Sequence, residues 1–468
     1  MANKKRRRRI WRTIWLTLLI GLLVGTYRLL PVSTAYASKT MCSCVYLGDR
    51  DPASVLNLEL ENFPYNLSTT EIDSVNQIVS SSVMGLQKKS ALYREGIGCT
   101  VISETDAQAL RTKAIQPVRM RTRSLDSTKM YWPVGDVDTF ATPKGVDMNR
   151  LQVVVDSAFL PNEEGNPNTR ATLVIHKGKI LAEQYAEGVT AKMRQRGWSM
   201  TKSVTNALIG IAAKKGLIDI YAPAPVPQWQ QDERSQITTD HLLRMSSGLS
   251  FTEFYFGRTD ATRMLYLKQG AGNYAIESRL GEAPNTTFSY SSGTSNILQV
   301  ILKNVVGDEK KYLSFPYTEL FDKIGMTSTV MEPDASNTYV GSSFMFATPR
   351  DWARFGLLYL HDGIWNGERI LPEGWVEYTN TRTPTSETGV YGAQFWKPAN
   401  NPKEDGMFNF FVWPGVPEDT FFAEGFEGQA VVIIPSRATV IVRLGVTHGG
   451  GWDLGKYVTD VLETLPKE

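Results

Sequence analysis

Two pairs of short, β-branched segments, far apart in the chain, constrain the fold more than any other feature of the sequence. The first is Ala171–His176 (ATLVIH) and Ile180–Tyr185 (ILAEQY), joined by Lys177-Gly178-Lys179. The second is Gln429–Ile434 (QAVVII) and Thr439–Leu444 (TVIVRL), joined through Pro435-Ser436-Arg437. Short runs rich in Val and Ile, bounded by Gly or Pro turns, read as hairpins. Between them lie mostly helical patterns and loops, including Ser199–Lys215 and Pro349–Leu360, and Asp453–Leu465 reads as a closing helix. Strands at both ends with helices between predict an α+β fold, in which an antiparallel sheet is built from distant segments and a helical subdomain is inserted. A regular strand–helix alternation, the mark of a parallel sheet, is absent.

The N-terminus is of another kind. Residues 1–37 hold eight Lys/Arg and no Asp/Glu, leaving 42 basic against 48 acidic residues in the rest. A body with an acidic excess argues against nucleic-acid binding, which needs basic residues gathered on a folded face. The basic run KKRRRRIWR (4–12), the apolar run IWLTLLIGLLVG and Ala35-Tyr36-Ala37 fit the successive regions of a secretory signal. The apolar run is short for a spanning helix, yet Arg28 can snorkel and Leu29-Leu30-Pro31-Val32 lengthens it. The segment therefore fits a cleaved signal or a retained anchor. Either reading places the body outside the cytoplasm, on the periplasmic face of the inner membrane or secreted. In such an oxidising compartment a bridge from Cys42 or Cys44 to Cys99 is expected, with one thiol left over. Residues 38–146 read as an N-terminal extension of short strands and helices, with a helix around Glu71–Leu86 and a Pro- and Arg-rich connecting arm over 117–145. The main domain spans 147–468.

Within that domain, Ser199 and Lys202 form the sole S-x-x-K of the chain. Val204, Leu208, Ile211 and Ala212 fall on one face of the helix that follows, and Gly216 stops it. A serine in the first turn and a lysine three residues on share one side of the helix. A serine hydroxyl becomes nucleophilic when a neighbouring base removes its proton, and a buried lysine can be that base if it loses its charge. A serine that merely caps the helix, followed by a solvated lysine, has the same spacing. Two further segments add weight. Phe288-Ser289-Tyr290-Ser291-Ser292 offers a phenol able to relay protons. Ala423-Glu424-Gly425-Phe426-Glu427-Gly428 offers glycines that let a backbone N–H, that of Phe426, join Ser199 in holding an oxyanion.

Taken together, in this order and spacing, the three segments resemble the class C β-lactamase and penicillin-binding-protein superfamily, above all its esterase and 6-aminohexanoate-dimer hydrolase branch. Thr239–Leu249 (TDHLLRMSSGL), Ala347–Gly356 (ATPRDWARFG) and Trp365-Asn366-Gly367 support the resemblance, which covers about residues 147–465. It implies a sheet of at least five antiparallel strands flanked by helices, with a mostly helical second lobe. It also implies Ser199 as the acylated serine, Lys202 as general base and Tyr290 as the tyrosine of the second motif. Two departures stand out. The third motif normally opens on Lys or His, where this chain has Ala423, so the cation that grips a β-lactam carboxylate is missing. The second motif normally ends in Asn, where this chain has Ser292. Both argue against β-lactam turnover and peptidoglycan carboxypeptidase activity and favour ester or amide hydrolysis, with a small ester, amide or peptide as the expected substrate. Tyr255 falls where that branch has a loop tyrosine over the acyl group. The alternative is a penicillin-binding-like protein that holds envelope peptides without cleaving them. His448 follows the last strand, out of order for the third motif. Without H-E-x-x-H, P-loop, G-x-G-x-x-G or G-x-S-x-G patterns, no metal or nucleotide cofactor and no α/β-hydrolase elbow is expected.

Overall fold

The structure, a computed structural model, describes residues 2–113, 116–119, 129–137, 143–399, 411–449 and 451–467. Parts of the connecting arm expected over 117–145 lie outside the described residues. An N-terminal helix, Ala2–Tyr46, leads into a four-stranded antiparallel sheet of β1 (Thr69–Asp73), β2 (Ile78–Val83), β3 (Leu86–Arg94) and β4 (Gly98–Val101).

The helix expected around Glu71–Leu86 is therefore two strands and two turns. Asp73 accepts from the N–H groups of Val75 and Asn76, making a tight turn, and Met84-Gly85 has positive φ at both residues. Both devices terminate strands. Thr69, Thr70, Ile72, Ile78, Val79 and Val83 supply the β-branched side chains that suit a pleated surface.

The last part of the N-terminal helix is built into the core. Ala35, Ala37, Met41 and Cys42 are buried, and Tyr36 stacks on Tyr65 (ring centroids 4.1 Å apart) and Trp198 (6.2 Å). Lys39 makes a buried ion pair with Glu332 at 2.5 Å, and Glu332 also accepts from Ser43 and from the Cys99 N–H. The Ala35-Tyr36-Ala37 stretch, expected to end a leader, is thus continuous with a packed helix. Among the described residues, no helix is long and apolar enough to cross a membrane.

Cys42 is bridged to Cys99 across 57 residues, and Cys44 is a buried free thiol. Closing a loop of that length removes denatured-chain entropy worth about 2–4 kcal/mol. Reduction, or Cys42→Ser, should lower the unfolding free energy from urea titration by that amount, with no such loss in a Cys44→Ser control.

The main sheet contains β5 (Thr169–His176), β6 (Lys179–Tyr185), β12 (Phe421–Gly425), β13 (Gln429–Ile434) and β14 (Thr439–Gly445) in the order β12-β13-β14-β5-β6, all antiparallel. Between β6 and β12 come β7 (Gln195–Arg196), β8 (Val330–Met331) and β9 (Met345–Ala347), which form a small sheet, and a two-stranded pair, β10 (Ile364–Trp365) and β11 (Glu368–Arg369). Alternate residues of the main sheet enter two cores, because successive side chains on a strand point to opposite faces. Leu173, Ile175, Val431, Val440 and Val442 join the large core with the helices Met200–Lys214 and Pro349–Leu360. Val174, Val432, Ile434 and Ile441 join a second core with Leu151, Val155 and Val458 of the helices Met148–Ser157 and Leu454–Thr464. The helical lobe holds Asp260–Tyr266, Ala271–Ile276, Ser292–Val306 and Glu309–Pro316. The architecture is the α+β arrangement of antiparallel sheets and helices read from the sequence.

Candidate active site

Ser199 opens the helix Met200–Lys214, whose residues 200–212 are all buried. The turn before it is tight: Gly197 N donates to Met345 O, and Trp198 adopts a left-handed conformation (φ 47°). β12 ends against this turn. A Cβ on Gly425 would lie 2.2 Å from the Gly197 carbonyl oxygen, so only glycine permits the approach. The next residue, Phe426, sets its exposed ring edge-on to Trp198, centroids 5.7 Å apart.

Ser199 makes no side-chain capping bond. Instead its Oγ lies 2.9 Å from Lys202 Nζ. Lys202 is 1% exposed, and its amine also lies 3.0 Å from Ser292 Oγ and 3.0 Å from the Ser342 carbonyl oxygen. Burial pushes its pKa down to about 8, with the Glu253 carboxylate pulling the other way. The hydrogen bonds fit a neutral amine. The Ser342 carbonyl can only accept, and the Ser292 hydroxyl donates to Glu253 at 2.6 Å, leaving its lone pairs for the amine. The amine thus donates to three oxygens, and once it loses a proton two N–H groups suffice for Ser292 and Ser342, which frees its lone pair for Ser199.

Tyr290 enters from the segment that precedes the helix Ser292–Val306. It borders the same cleft as Ser199, and Lys202 Nζ sits 4.9 Å from its ring centroid. Trp396 (5.0 Å) and Tyr391 (5.9 Å) hold the ring. Burial, then Glu253, raise its pKa well above the ordinary phenol value, so it stays protonated and can donate. Ser199, Lys202 and Tyr290 are thus brought together. Ser292 lies fully buried beneath them, against Lys202, and the Tyr255 hydroxyl is 2.9 Å from Ser292 Oγ and 2.6 Å from Glu253. His448 bonds the Leu58 carbonyl instead.

Glu253 was not singled out by the sequence reading, although it stands in the same aromatic loop as Tyr255. A carboxylate inside FTEFYF is the signal that could have marked it. It accepts from Ser292 N (2.8 Å), Ser292 Oγ and Tyr255, and its charge raises Lys202. Glu253→Gln should therefore shift the limb of the pH–rate profile set by Lys202 to lower pH. An unmoved limb would show that Glu253 does not act on the amine.

Ser199 and Tyr290 open into a cleft of about 670 Å³ walled by Trp396, Trp413, Trp452 and the 424–428 segment. Among the described residues bordering it are Glu164, Glu424, Glu427 and Asp453, with no Lys or Arg. Burial raises Glu424 to about 7. Glu427 accepts from the Trp198 indole N–H at 2.9 Å. Among the described residues, no cluster of His, Cys, Asp and Glu could hold a metal ion.

Comparison with known proteins gives concordant results. The profile of the family described as Beta-lactamase matches residues 168–455. A 6-aminohexanoate-dimer hydrolase from Paenarthrobacter ureafaciens is 26% identical over 298 residues, covering 59% of this chain and 72% of that protein. Among solved structures, a family VIII carboxylesterase superposes with a TM-score of 0.54 at 12% identity, covering 70% of this chain and 100% of the other. A penicillin-binding protein homologue from Caulobacter crescentus gives 0.52 at 14% identity, over 70% of this chain and 98% of the other. At these identities the two structures speak to the fold.

Proposed function

The chain belongs to the beta-lactamase family and is a serine hydrolase; within that family we propose that it cleaves an ester or a linear amide through an acyl-enzyme on Ser199, with Lys202 as base and Tyr290 as proton relay. The observation that carries this reading is the surround of Lys202: two acceptors occupy its N–H groups and its third direction is Ser199 at 2.9 Å.

In the forward step Lys202 takes the Ser199 proton as Oγ bonds the substrate carbonyl carbon. The backbone N–H groups of Ser199 and Phe426 hold the oxyanion, a contribution typically worth ~3–4 kcal/mol. Tyr290 passes a proton to the leaving alcohol or amine as its bond to carbon breaks. Water then attacks the acyl-enzyme by the reverse relay, releasing the acid and restoring Ser199. β-Lactams fit poorly. Ala423 offers no cation to their carboxylate, and the described cleft wall is acidic, which repels an anion.

The test is exposure of the purified protein to p-nitrophenyl acetate, a fluorophosphonate probe and a labelled penicillin. Ester turnover with probe on the Ser199 peptide is expected. Penicillin labelling without ester turnover would replace hydrolysis by the envelope-peptide binder.

We also infer export, with the N-terminal segment retained and seated at the membrane. The basic run over 4–9, the exposed Trp11, Ile14, Trp15 and Leu16, and the Cys42–Cys99 bridge support it. So does the burial of Ala35–Ala37, which cleavage after Ala37 would remove from the core. Fractionation and N-terminal sequencing of the mature protein test this: a start at Ser38 would overturn retention, and recovery in the cytoplasmic fraction would overturn export.

A further inference from the structure

We propose that the acyl half of the substrate is an unbranched, uncharged aliphatic chain, laid in an apolar channel that runs from Ser199 along the N-terminal helix to the surface. This rests on the reading of Ser199 as nucleophile. Besides the wide cleft, a cavity of about 80 Å³ opens at Ser199 and is bordered by Val32, Tyr36, Tyr65, Tyr255 and Tyr266. Another of about 110 Å³ shares Val32, Tyr65 and Tyr255 with it and continues past Leu29, Phe63 and Phe256. The shared residues set the two spaces side by side, so that a chain passing between Val32, Tyr65 and Tyr255 would join them into one path. Its outer end is marked by Leu29, Phe63, Leu67 and Phe256, all exposed. Solvent-facing apolar side chains grouped at a cavity mouth signal an apolar ligand rather than packing.

The path can be assigned to the acyl rather than the leaving side. The leaving group must be within reach of the group that protonates it. Tyr290 borders the wide cleft and neither of the two smaller cavities. The alcohol or amine therefore departs into the cleft, and the acyl chain takes the other opening. The electrostatics agree. Among the described residues, none bordering the path carries a charge, whereas those of the cleft wall include four acids. An acyl group ending in an ammonium or carboxylate would be stripped of water with nothing to pair it. A methylene chain loses only unfavourable contact with water, a gain equivalent to roughly fourfold per carbon. The walls at Val32, Tyr36 and Tyr65 lie upstream of the segment matched to the family, residues 168–455, so the channel forms where the N-terminal region packs on that segment.

The experiment compares p-nitrophenyl acetate, butyrate, hexanoate and octanoate on the full-length protein, below micelle-forming concentrations. kcat/KM should rise roughly three- to fourfold per added methylene. The 6-aminohexanoate ester should be at least ~10-fold poorer than the hexanoate, since its ammonium meets no partner in the channel. Ethyl and octyl acetate, which lengthen the alcohol instead, should show no such rise. Val32→Phe narrows the path and Leu29→Trp covers its mouth. Each should lower the octanoate-to-acetate ratio, a quantity insensitive to loss of folded protein. A flat or falling acyl profile with acetate still cleaved overturns the channel alone, as does an unchanged ratio in both variants. Failure to cleave any ester overturns the hydrolase reading and the channel with it.

Discussion

Ser199→Ala should yield a protein that melts where the wild type does and hydrolyses p-nitrophenyl acetate at least ~10⁴-fold more slowly, as expected when a nucleophile acting as part of a unit is removed. The two halves of that expectation come from different observations. The rate loss follows because Oγ is the atom that bonds the substrate, and the other hydroxyl beside the amine, that of Ser292, is fully buried and does not border the cleft. The unchanged stability follows from the absence of a capping bond. Replacing a serine that caps a helix costs about 1 kcal/mol, but Ser199 makes no such bond, so its side chain contributes little to the fold. Thermal melts by circular dichroism, run beside the assay, separate the outcomes. Retained turnover would remove Ser199 from its role, and a clear loss of stability with intact rate would make it a cap.

Lys202→Ala should cost about 10²–10⁴-fold in kcat/KM, the range typical of a general base, and Lys202→Arg should be as impaired. Arginine keeps the positive charge but cannot give up its proton in a protein. Equal damage from both substitutions therefore identifies proton removal, whereas rescue by arginine would identify charge alone. The wild-type profile supplies the matching sign. Lys202 is active when neutral, and burial brings its pKa down to about 8. kcat/KM should then climb with pH, tenfold per unit well below 8, and level off above it. A profile flat between pH 6 and 9 would contradict the assignment. Alanine also strands the Ser342 carbonyl without its donor, an effect of about 1–3 kcal/mol on stability, so rates are normalised to folded protein.

Four strands of the main sheet were legible because each announces itself locally, whereas β12 was not read as a strand. The Lys177-Gly178 turn has the positive φ at both residues that its sequence suggests, and the Val/Ile alternation of β13 and β14 divides between two cores. The Ser199–Lys202 spacing was legible for the same reason, since three residues on a helix fix proximity whatever surrounds it. What local pattern could not carry was long-range. Ser342 accepts from Lys202 through a backbone carbonyl, which any residue type supplies. Glu253 matters through its reach to Ser292 and Lys202, neither of them near it in sequence. The misreading of 71–86 arose where serines dilute the apolar period, in IVSSSV, and where the turn at Asp73–Asn76 depends on side-chain bonds. The N-terminal helix misled differently. Its basic and apolar opening reads as an address, which hides Tyr36 further on, stacked against the nucleophile's neighbour Trp198.

The position of β14 has a consequence for a half-made chain. β14 lies between β13 and β5, so until Thr439–Gly445 has emerged both of those strands are edges with free backbone groups, and each carries an apolar run, Ala430–Ile434 in one and Leu173–Ile175 in the other. Such edges invite pairing with whatever is near, including other nascent copies. The protein is thus at its most vulnerable late in synthesis, with nearly all of its sequence made, and any truncation ahead of that strand should be found in aggregates.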